Sequence, residues 1–155
     1  MKLLQRWEPR LWKSGLAGCI IRALYRVAWI RIRFVPGEER LWRALNRSEQ
    51  VYAKTGQPKP SFFRDKNGLS CDLARFSTPE RSRLGHGATP YPSESGLVEV
   101  NARLVRDAGS DVRHAPVKVP RRNYAHAQLT SALSSIGADL LAKNARYRIR
   151  QSFRG

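Results

Sequence analysis

Apolar residues recur at helical spacing between residues 10 and 34, and this pattern predicts a basic amphipathic helix. Pro9 suits the start of such a helix, and Pro36-Gly37 suits its end. One stripe of the projected helix is basic and carries Arg22, Arg26 and Arg33. The broad opposite region is apolar and carries Leu16, Ile20, Ala23, Val27, Ile30 and Phe34. We expect this apolar region to pack on the protein's own core.

Other fates for residues 10–34 follow from the same pattern. Arginines interrupt every apolar window of about 20 residues, so the segment is not a membrane span. A lipoprotein cleavage box has the form of Leu16-Ala17-Gly18-Cys19, but here no apolar stretch precedes these residues. A mitochondrial presequence is also arginine-rich, but the serine content of this segment is low for one. A peripheral attachment of residues 10–34 to an anionic membrane surface remains an alternative to packing on the body.

The clearest strand pattern lies later in the chain, where apolar residues alternate from Leu97 to Leu104. A second strand is predicted from Val112 to Val119, and the short turn between the two makes them an antiparallel pair. Pro116 places the second strand at an edge or on a bulge. Residues 69–76 fit a strand or a helical turn, residues 38–56 fit a short helix or a strand, and residues 81–96 are rich in turn formers.

A carboxy-terminal helix is predicted to begin at the N-cap Asn123. Its apolar stripe comprises Leu129, Ala132, Leu133, Ile136 and Leu140. Gly137 weakens this helix by roughly 1 kcal/mol relative to alanine. The order of helix, mixed segment, strands and helix predicts an α+β fold with a small antiparallel sheet.

The length of 155 residues predicts one domain, and the change of texture near Pro36 divides the chain. We expect a basic helical extension over residues 1–36 and a single α+β domain over residues 37–155. Cys19 and Cys71 form neither a disulfide framework nor a metal half-site, which fits a reducing, cytoplasmic location. We expect neither a metal nor a cofactor, because no glycine-rich phosphate loop or metal-binding motif is found.

The charge balance indicates an anionic partner. Lys and Arg number 29 against 12 Asp and Glu, which gives a net charge of +17. Removing the first 35 residues takes away eight bases and one acid, so the rest still carries 21 − 11 = +10. Because the excess charge is spread over the whole chain, nucleic acid is the expected partner, and a solvated arginine-rich surface that binds nothing specific is the alternative.

Aromatic residues beside basic ones give candidate nucleic-acid contacts, because single strands are bound by stacking together with phosphate neutralisation. The first group lies in a predicted loop and comprises Lys59, Phe63, Arg64 and Lys66. The second comprises Arg121, Arg122 and Tyr124, and the third comprises Arg146, Arg148 and Arg150. The alternative interpretation is that Phe63 belongs to the core and that the basic side chains are simply solvated.

Arg43 in Leu41-Trp42-Arg43-Ala44, Ser70 after Gly68-Leu69, and Glu99 in Val98-Glu99-Val100 follow one another along the chain. This order resembles the Arg–Ser–Glu pattern of the ADP-ribosyltransferase fold over about residues 41–119. The resemblance implies that Arg43 binds the phosphate of the cofactor, that Ser70 shapes a nicotinamide pocket, and that Glu99 stabilises a developing oxocarbenium ion. An ordinary outward-facing position in a strand is the alternative for Glu99.

Two histidines form a further catalytic candidate. His114 and His126 could converge where the second predicted strand meets the last helix, with Arg122 or Lys118 on a phosphate. Capping or packing roles are the alternative. The sequence therefore favours nucleic-acid binding, followed by a nucleotide-processing enzyme and then by membrane attachment.

Overall fold

The computed structural model describes residues 15–46, 50–65, 69–85, 96–118 and 122–150. Within these residues there are four α-helices: α1 (Gly15–Val27), α2 (Pro79–Gly85), α3 (Ala102–Asp107) and α4 (Ser135–Asn144). The six strands are β1 (Arg40–Leu45), β2 (Ser70–Leu73), β3 (Gly96–Asn101), β4 (Val112–His114), β5 (His126–Leu129) and β6 (Arg146–Ile149). Short 3-10 helices cover Pro60–Phe63 and Ala74–Phe76.

The strands form one sheet in the order β4-β5-β2-β1-β3-β6, and every neighbouring pair is antiparallel. The α+β class and the antiparallel sheet are thus confirmed. The predicted pairing of the strands near residues 97 and 112 is wrong, because β3 lies between β1 and β6 while β4 pairs with β5.

The strand predicted over residues 97–104 ends early because a helix begins inside it. The side chain of Asn101 accepts a hydrogen bond from the backbone N–H of Leu104 at 2.7 Å and caps α3. Ala102 and Val105 then lie buried on the inner side of this short helix. Local capping therefore ends the alternation of β3 and carries the chain away from β4.

The carboxy-terminal prediction is correct in type but wrong in extent. Residues 126–129 form β5, which pairs with β2 on one side and with β4 on the other. Its inward side chains Ala127 and Leu129 are buried in the main core. The helix begins only after Ser134, whose hydroxyl accepts a hydrogen bond from Gly137 at 3.1 Å. Residues 146–149 form the edge strand β6.

The main core lies on one face of the sheet, which is covered by α3, α4 and the turn Pro60–Phe63. A smaller cluster around Trp42 and Leu97 lies on the other face, where α2 contacts β1 and β3. Residues after α1 also enter the main core through Ile32 and Val35. The part of the predicted extension that follows α1 is therefore packed against the sheet.

Helix α1 ends earlier than predicted. Trp29 adopts the left-handed conformation with a φ of 56°. The N–H of Ile30 bonds to the carbonyl of Tyr25 at 2.9 Å, which is the pattern of a Schellman motif. A bulky residue in this conformation costs about 1 kcal/mol or more. The turn directs the ring of Trp29 onto Tyr124, with ring centroids 5.5 Å apart.

The side of α1 that packs is also different from the predicted one. Ile21 and Tyr25 contact the core, whereas Leu16, Ile20 and Val27 are exposed by 79%, 53% and 86%. The expectation that the broad apolar region packs on the body is wrong for these residues. Residues 10–14 of the predicted helix lie outside the described residues.

Candidate anion-binding groove

A groove runs beside α1, between this helix and the chain that follows β2. One wall comes from α1 and the other from the segment after β2: Cys19, Arg22, Ala23, Arg26 and Val27 face Arg75, Phe76, Ser77, Thr78 and Arg81. The volume of this part is about 410 Å³. Helix α1 thus uses its basic stripe to form one side of a concave site.

A second depression of about 320 Å³ adjoins the first. It shares four lining residues with it, namely Arg26, Val27, Phe76 and Arg81. It adds residues from the turn after α1 and from the chain before β5: Trp29, Arg122, Asn123, Tyr124 and Ala125. The two depressions together make one continuous groove, which we call the arginine groove.

Five arginines line the arginine groove, and none of the described lining residues is acidic: Arg22, Arg26, Arg75, Arg81 and Arg122. Arg26, Arg81 and Arg122 are exposed, and their side chains make no ion pair with any other described residue. A guanidinium group offers a planar fork of N–H donors that matches a phosphate. The groove can therefore bind an anion through several independent donors.

Aromatic rings form the floor of the arginine groove. Phe76 lies edge-on to Tyr124 at 4.8 Å and stacks on His114 at 5.6 Å. Trp29 contacts Tyr124 from the α1 side and is half-buried, with the ammonium group of Lys118 5.7 Å from its ring centroid. The floor is thus apolar and packed against the core, while the guanidinium groups of the arginines lie on the walls.

A buried ion pair fixes the wall that follows β2. Glu39, at the start of β1, is only 5% exposed and accepts hydrogen bonds from the guanidinium group of Arg75. The second carboxylate oxygen of Glu39 accepts the backbone N–H of Arg75 at 3.3 Å. This arrangement ties Arg75 and the neighbouring Phe76 to the sheet, and it compensates the charge of Arg75.

His114 lies below the floor and is bonded at both ring nitrogens. Its Nδ1 accepts the backbone N–H of Ile32 at 3.0 Å, so Nε2 carries the proton and donates to the carbonyl of Tyr124 at 2.6 Å. Burial lowers the pKa of His114 to about 4. The ring is therefore neutral at pH 7 and joins the chain after α1 to the sheet.

The predicted pair of catalytic histidines does not form. His114 is directly opposite Ala127 and faces the core, whereas His126 is opposite Asp72 on the other face of the sheet. The Nδ1 atom of His126 bonds to the carbonyl of Ala115 at 2.7 Å. Both ring nitrogens of His114 are bonded to backbone groups, so the two histidines do not converge on a common site. Within the described chain no three His, Cys, Asp or Glu side chains cluster as a metal site requires.

The residues of the predicted Arg–Ser–Glu pattern lie on adjacent strands but not in one cleft. Arg43 is opposite Val98 and Glu99 is opposite Trp42, so their side chains point to opposite faces of the sheet. The Nη1 atom of Arg43 does reach Ser70, but it bonds to the backbone carbonyl at 2.7 Å. The strand register therefore places Arg43 and Glu99 on opposite faces of the sheet, and the three side chains do not form the predicted group.

Arg43 and Glu99 each have structural partners instead. The guanidinium group of Arg43 lies 4.9 Å from the ring centroid of Phe62, and burial lowers its pKa. The carboxylate of Glu99 accepts the indole N–H of Trp42 at 2.8 Å and lies 3.7 Å from Arg40 and 3.5 Å from Arg148. These contacts stabilise the sheet on its two faces.

The described residues of the first and third predicted nucleic-acid groups lie outside the arginine groove. Phe63 is 1% exposed, so its predicted role as a stacking surface is wrong. Lys59 lies over the ring of Tyr52, and Arg64 is exposed. The arginines of the third group are exposed along the edge strand β6: Arg146, Arg148 and Arg150. Lys66 and Arg121 lie outside the described residues.

From the second predicted group, Arg122 and Tyr124 line the arginine groove, although the hydroxyl of Tyr124 is bonded to the carbonyl of Ile30. Arg75 and Arg81 are the groove residues that sequence reasoning missed. Nothing in their local pattern distinguishes them from other arginines, since they meet α1 only through tertiary packing. The signals for the site in the sequence are the basic stripe of Arg22 and Arg26 and the neighbouring pair of Arg122 and Tyr124.

No comparison offers a relative from which a function could be transferred. Protein-family models, curated protein sequences and solved structures were each compared with this chain, and none matches it.

Proposed function

We propose that the protein binds single-stranded nucleic acid, with the phosphate backbone in the arginine groove. One observation carries the proposal: the exposed arginines Arg26, Arg81 and Arg122, which make no ion pair with another described residue, converge on a concave surface whose described lining has no carboxylate. Each exposed guanidinium group can form two parallel hydrogen bonds to one phosphate. A string of such donors fits a polymer of phosphates better than it fits a single small anion.

The shape of the groove supports a single strand rather than a duplex. The two adjoining depressions measure about 410 and 320 Å³, which is the size range of small-ligand sites. A flexible single strand can follow such a path between α1 and the segment after β2. The half-buried ring of Trp29, which lines the groove, offers a surface for sugars and base edges.

The overall charge supports the same partner at longer range. The net charge of +17 attracts a polyanion from any direction and raises its local concentration. Net charge alone would bind anions anywhere on the surface, whereas the groove gives them one location. The experiment must therefore distinguish binding in the arginine groove from attraction by the net charge of the whole protein.

The test is an anisotropy titration of labelled single-stranded RNA, single-stranded DNA and duplex at several salt concentrations. The triple variant R26Q/R81Q/R122Q removes three groove charges, and R146Q/R148Q/R150Q removes three charges from the edge strand β6. For a single strand the salt slope falls by roughly 0.7 per lost phosphate contact, so the groove variant should lower it by about 2. The edge variant should leave the slope nearly unchanged.

Three results would overturn this assignment. Equal losses for both triple variants would mean that only net charge matters. A loss confined to the edge variant would place the site on β6. Failure of the unaltered protein to bind at low salt would remove nucleic acid as the partner.

A further inference from the structure

Helix α1 exposes a second surface, on the side away from the core. Four large aliphatic side chains lie there, namely Leu16, Ile20, Leu24 and Val27, with exposed fractions of 79%, 53%, 60% and 86%. Successive helical residues are about 100° apart, so these four positions fall within an arc of about 80°. We call this surface the α1 apolar arc. Single exposed apolar residues are ordinary on protein surfaces, whereas a contiguous group of them marks an interaction site.

The chain beyond α1 continues the same character. Ile30 and Phe34 are 45% and 58% exposed. Arg31 and Arg33 alternate with them and are exposed as well. From Gly15 to Gly37 the sequence contains four arginines and no acidic residue. The surface therefore combines exposed aliphatic groups with positive charge and has no negative charge of its own.

We propose that the α1 apolar arc docks on an anionic lipid surface, with the helix lying in the plane of the membrane. The aliphatic side chains would enter the boundary between headgroups and acyl chains, while the exposed Arg31 and Arg33 of the following segment would contact lipid phosphates. A 13-residue helix is about 20 Å long, shorter than the hydrocarbon core. In the described part of the chain, no helix has both the length and the apolar character needed to cross a membrane.

Charge complementarity favours lipid over the other occupants of this surface. A second copy of the chain also carries a net charge of +17, so the two molecules would repel each other as a whole. Nucleic acid offers phosphates but no apolar layer for four aliphatic side chains. An anionic bilayer offers both an apolar layer for the arc and phosphates for the exposed arginines of the following segment.

The test is flotation of the full chain with phosphatidylcholine vesicles, with and without phosphatidylglycerol. The variant I20Q/V27Q replaces two exposed side chains of the arc, so circular dichroism should show an unchanged fold. The control is I136Q, because Ile136 is an aliphatic residue that is 82% exposed on α4. The unaltered protein and I136Q should float with the anionic vesicles only, and I20Q/V27Q should bind them at least about tenfold more weakly.

Several outcomes would overturn the proposal. The first is that the unaltered protein is found entirely in the unbound fraction, and the second is that I20Q/V27Q floats as well as I136Q. Light scattering could instead reveal a dimer that I20Q/V27Q dissociates, in which case the arc joins two copies. The variant I20Q/L24Q alters two residues of the arc that do not line the arginine groove, so it should weaken vesicle binding in the same way and leave the affinity for single-stranded RNA unchanged, which separates the two surfaces.

Discussion

Gly137 illustrates how one residue acquires its meaning only from its neighbours. Within α4 it is a weak helix former, and the sequence therefore suggests that alanine would be better by roughly 1 kcal/mol. In the fold, a methyl group built on Gly137 overlaps the backbone carbonyl oxygen of Ala108, at the end of α3. The glycine thus allows α3 and α4 to approach each other closely.

We therefore expect G137A to destabilise the protein by about 1–3 kcal/mol, because a backbone carbonyl cannot move aside as a flexible side chain can. Urea denaturation measures the change. G15A is the matched control, since Gly15 lies in α1 with open space around its Cα atom. A G137A protein as stable as the unaltered one would show that the two helices separate at little cost.

At the scale of elements, the ion pair between Glu39 and Arg75 joins the start of β1 to the wall of the arginine groove. We expect E39Q to lower the free energy of unfolding by about 3 kcal/mol, because it leaves the guanidinium group of Arg75 buried without its counter-charge. The same variant should weaken binding of single-stranded RNA, since the groove wall loses its attachment to the sheet. Thermal and urea denaturation, followed by the anisotropy titration, measure the two effects.

The control for E39Q is D111N, which weakens an exposed ion pair. Asp111 lies 2.8 Å from Arg106, but its side chain is 56% exposed, so the loss should be below about 1 kcal/mol. Equal destabilisation by the two variants would contradict a special role for the buried pair. Unchanged stability in E39Q would show that Arg75 is held by its other contacts.

Also at this scale, local sequence rules predicted the type of α1, β3, β4 and α4 but not their limits. The caps at Asn101 and Ser134 decide where α3 and α4 begin. Alternation from residue 97 to residue 104 concealed the first of these caps, because Ala102 and Leu104 fit a strand and a helix equally well. A single-residue cap that satisfies a backbone N–H outweighed the continuation of the strand pattern.

For the whole molecule, His114 links three parts of the chain, through hydrogen bonds to Ile32 and Tyr124 and by stacking on Phe76. Its pKa of about 4 in the folded state lies below the ordinary value of about 6.5, chiefly because of burial and in part because of the nearby cationic side chains. A histidine that is neutral in the fold contributes its full stability above the unfolded pKa. The contribution is lost as the pH falls from about 6.5 towards 4.

Because of this residue, we expect the free energy of unfolding to fall by about 1 kcal/mol for each pH unit as the pH is lowered from about 6.5 to 4. Urea denaturation between pH 7 and 4 measures the slope in the unaltered protein, in H114N and in H126Q, and only H114N should flatten it. Nitrogen NMR of the imidazole should show His114 neutral, with its proton on Nε2, at pH 6 and at pH 5. An imidazolium signal from His114 at pH 6 would contradict the expectation.

The sequence by itself determined the α+β class, the antiparallel sheet, the positive field and the basic stripe of α1, because these depend on local periodicity and on summed charge. Only the tertiary structure decided that β3 pairs with β1, and that Arg43 and Glu99 consequently lie on opposite faces. It also decided that α1 packs through Ile21 and Tyr25 and leaves its broader apolar side exposed. The physical reason is that strand register and helix orientation are set by contacts between residues far apart in the chain. The packing of α1 against the body therefore brings three arginines from separate parts of the chain into one site: Arg75, Arg81 and Arg122.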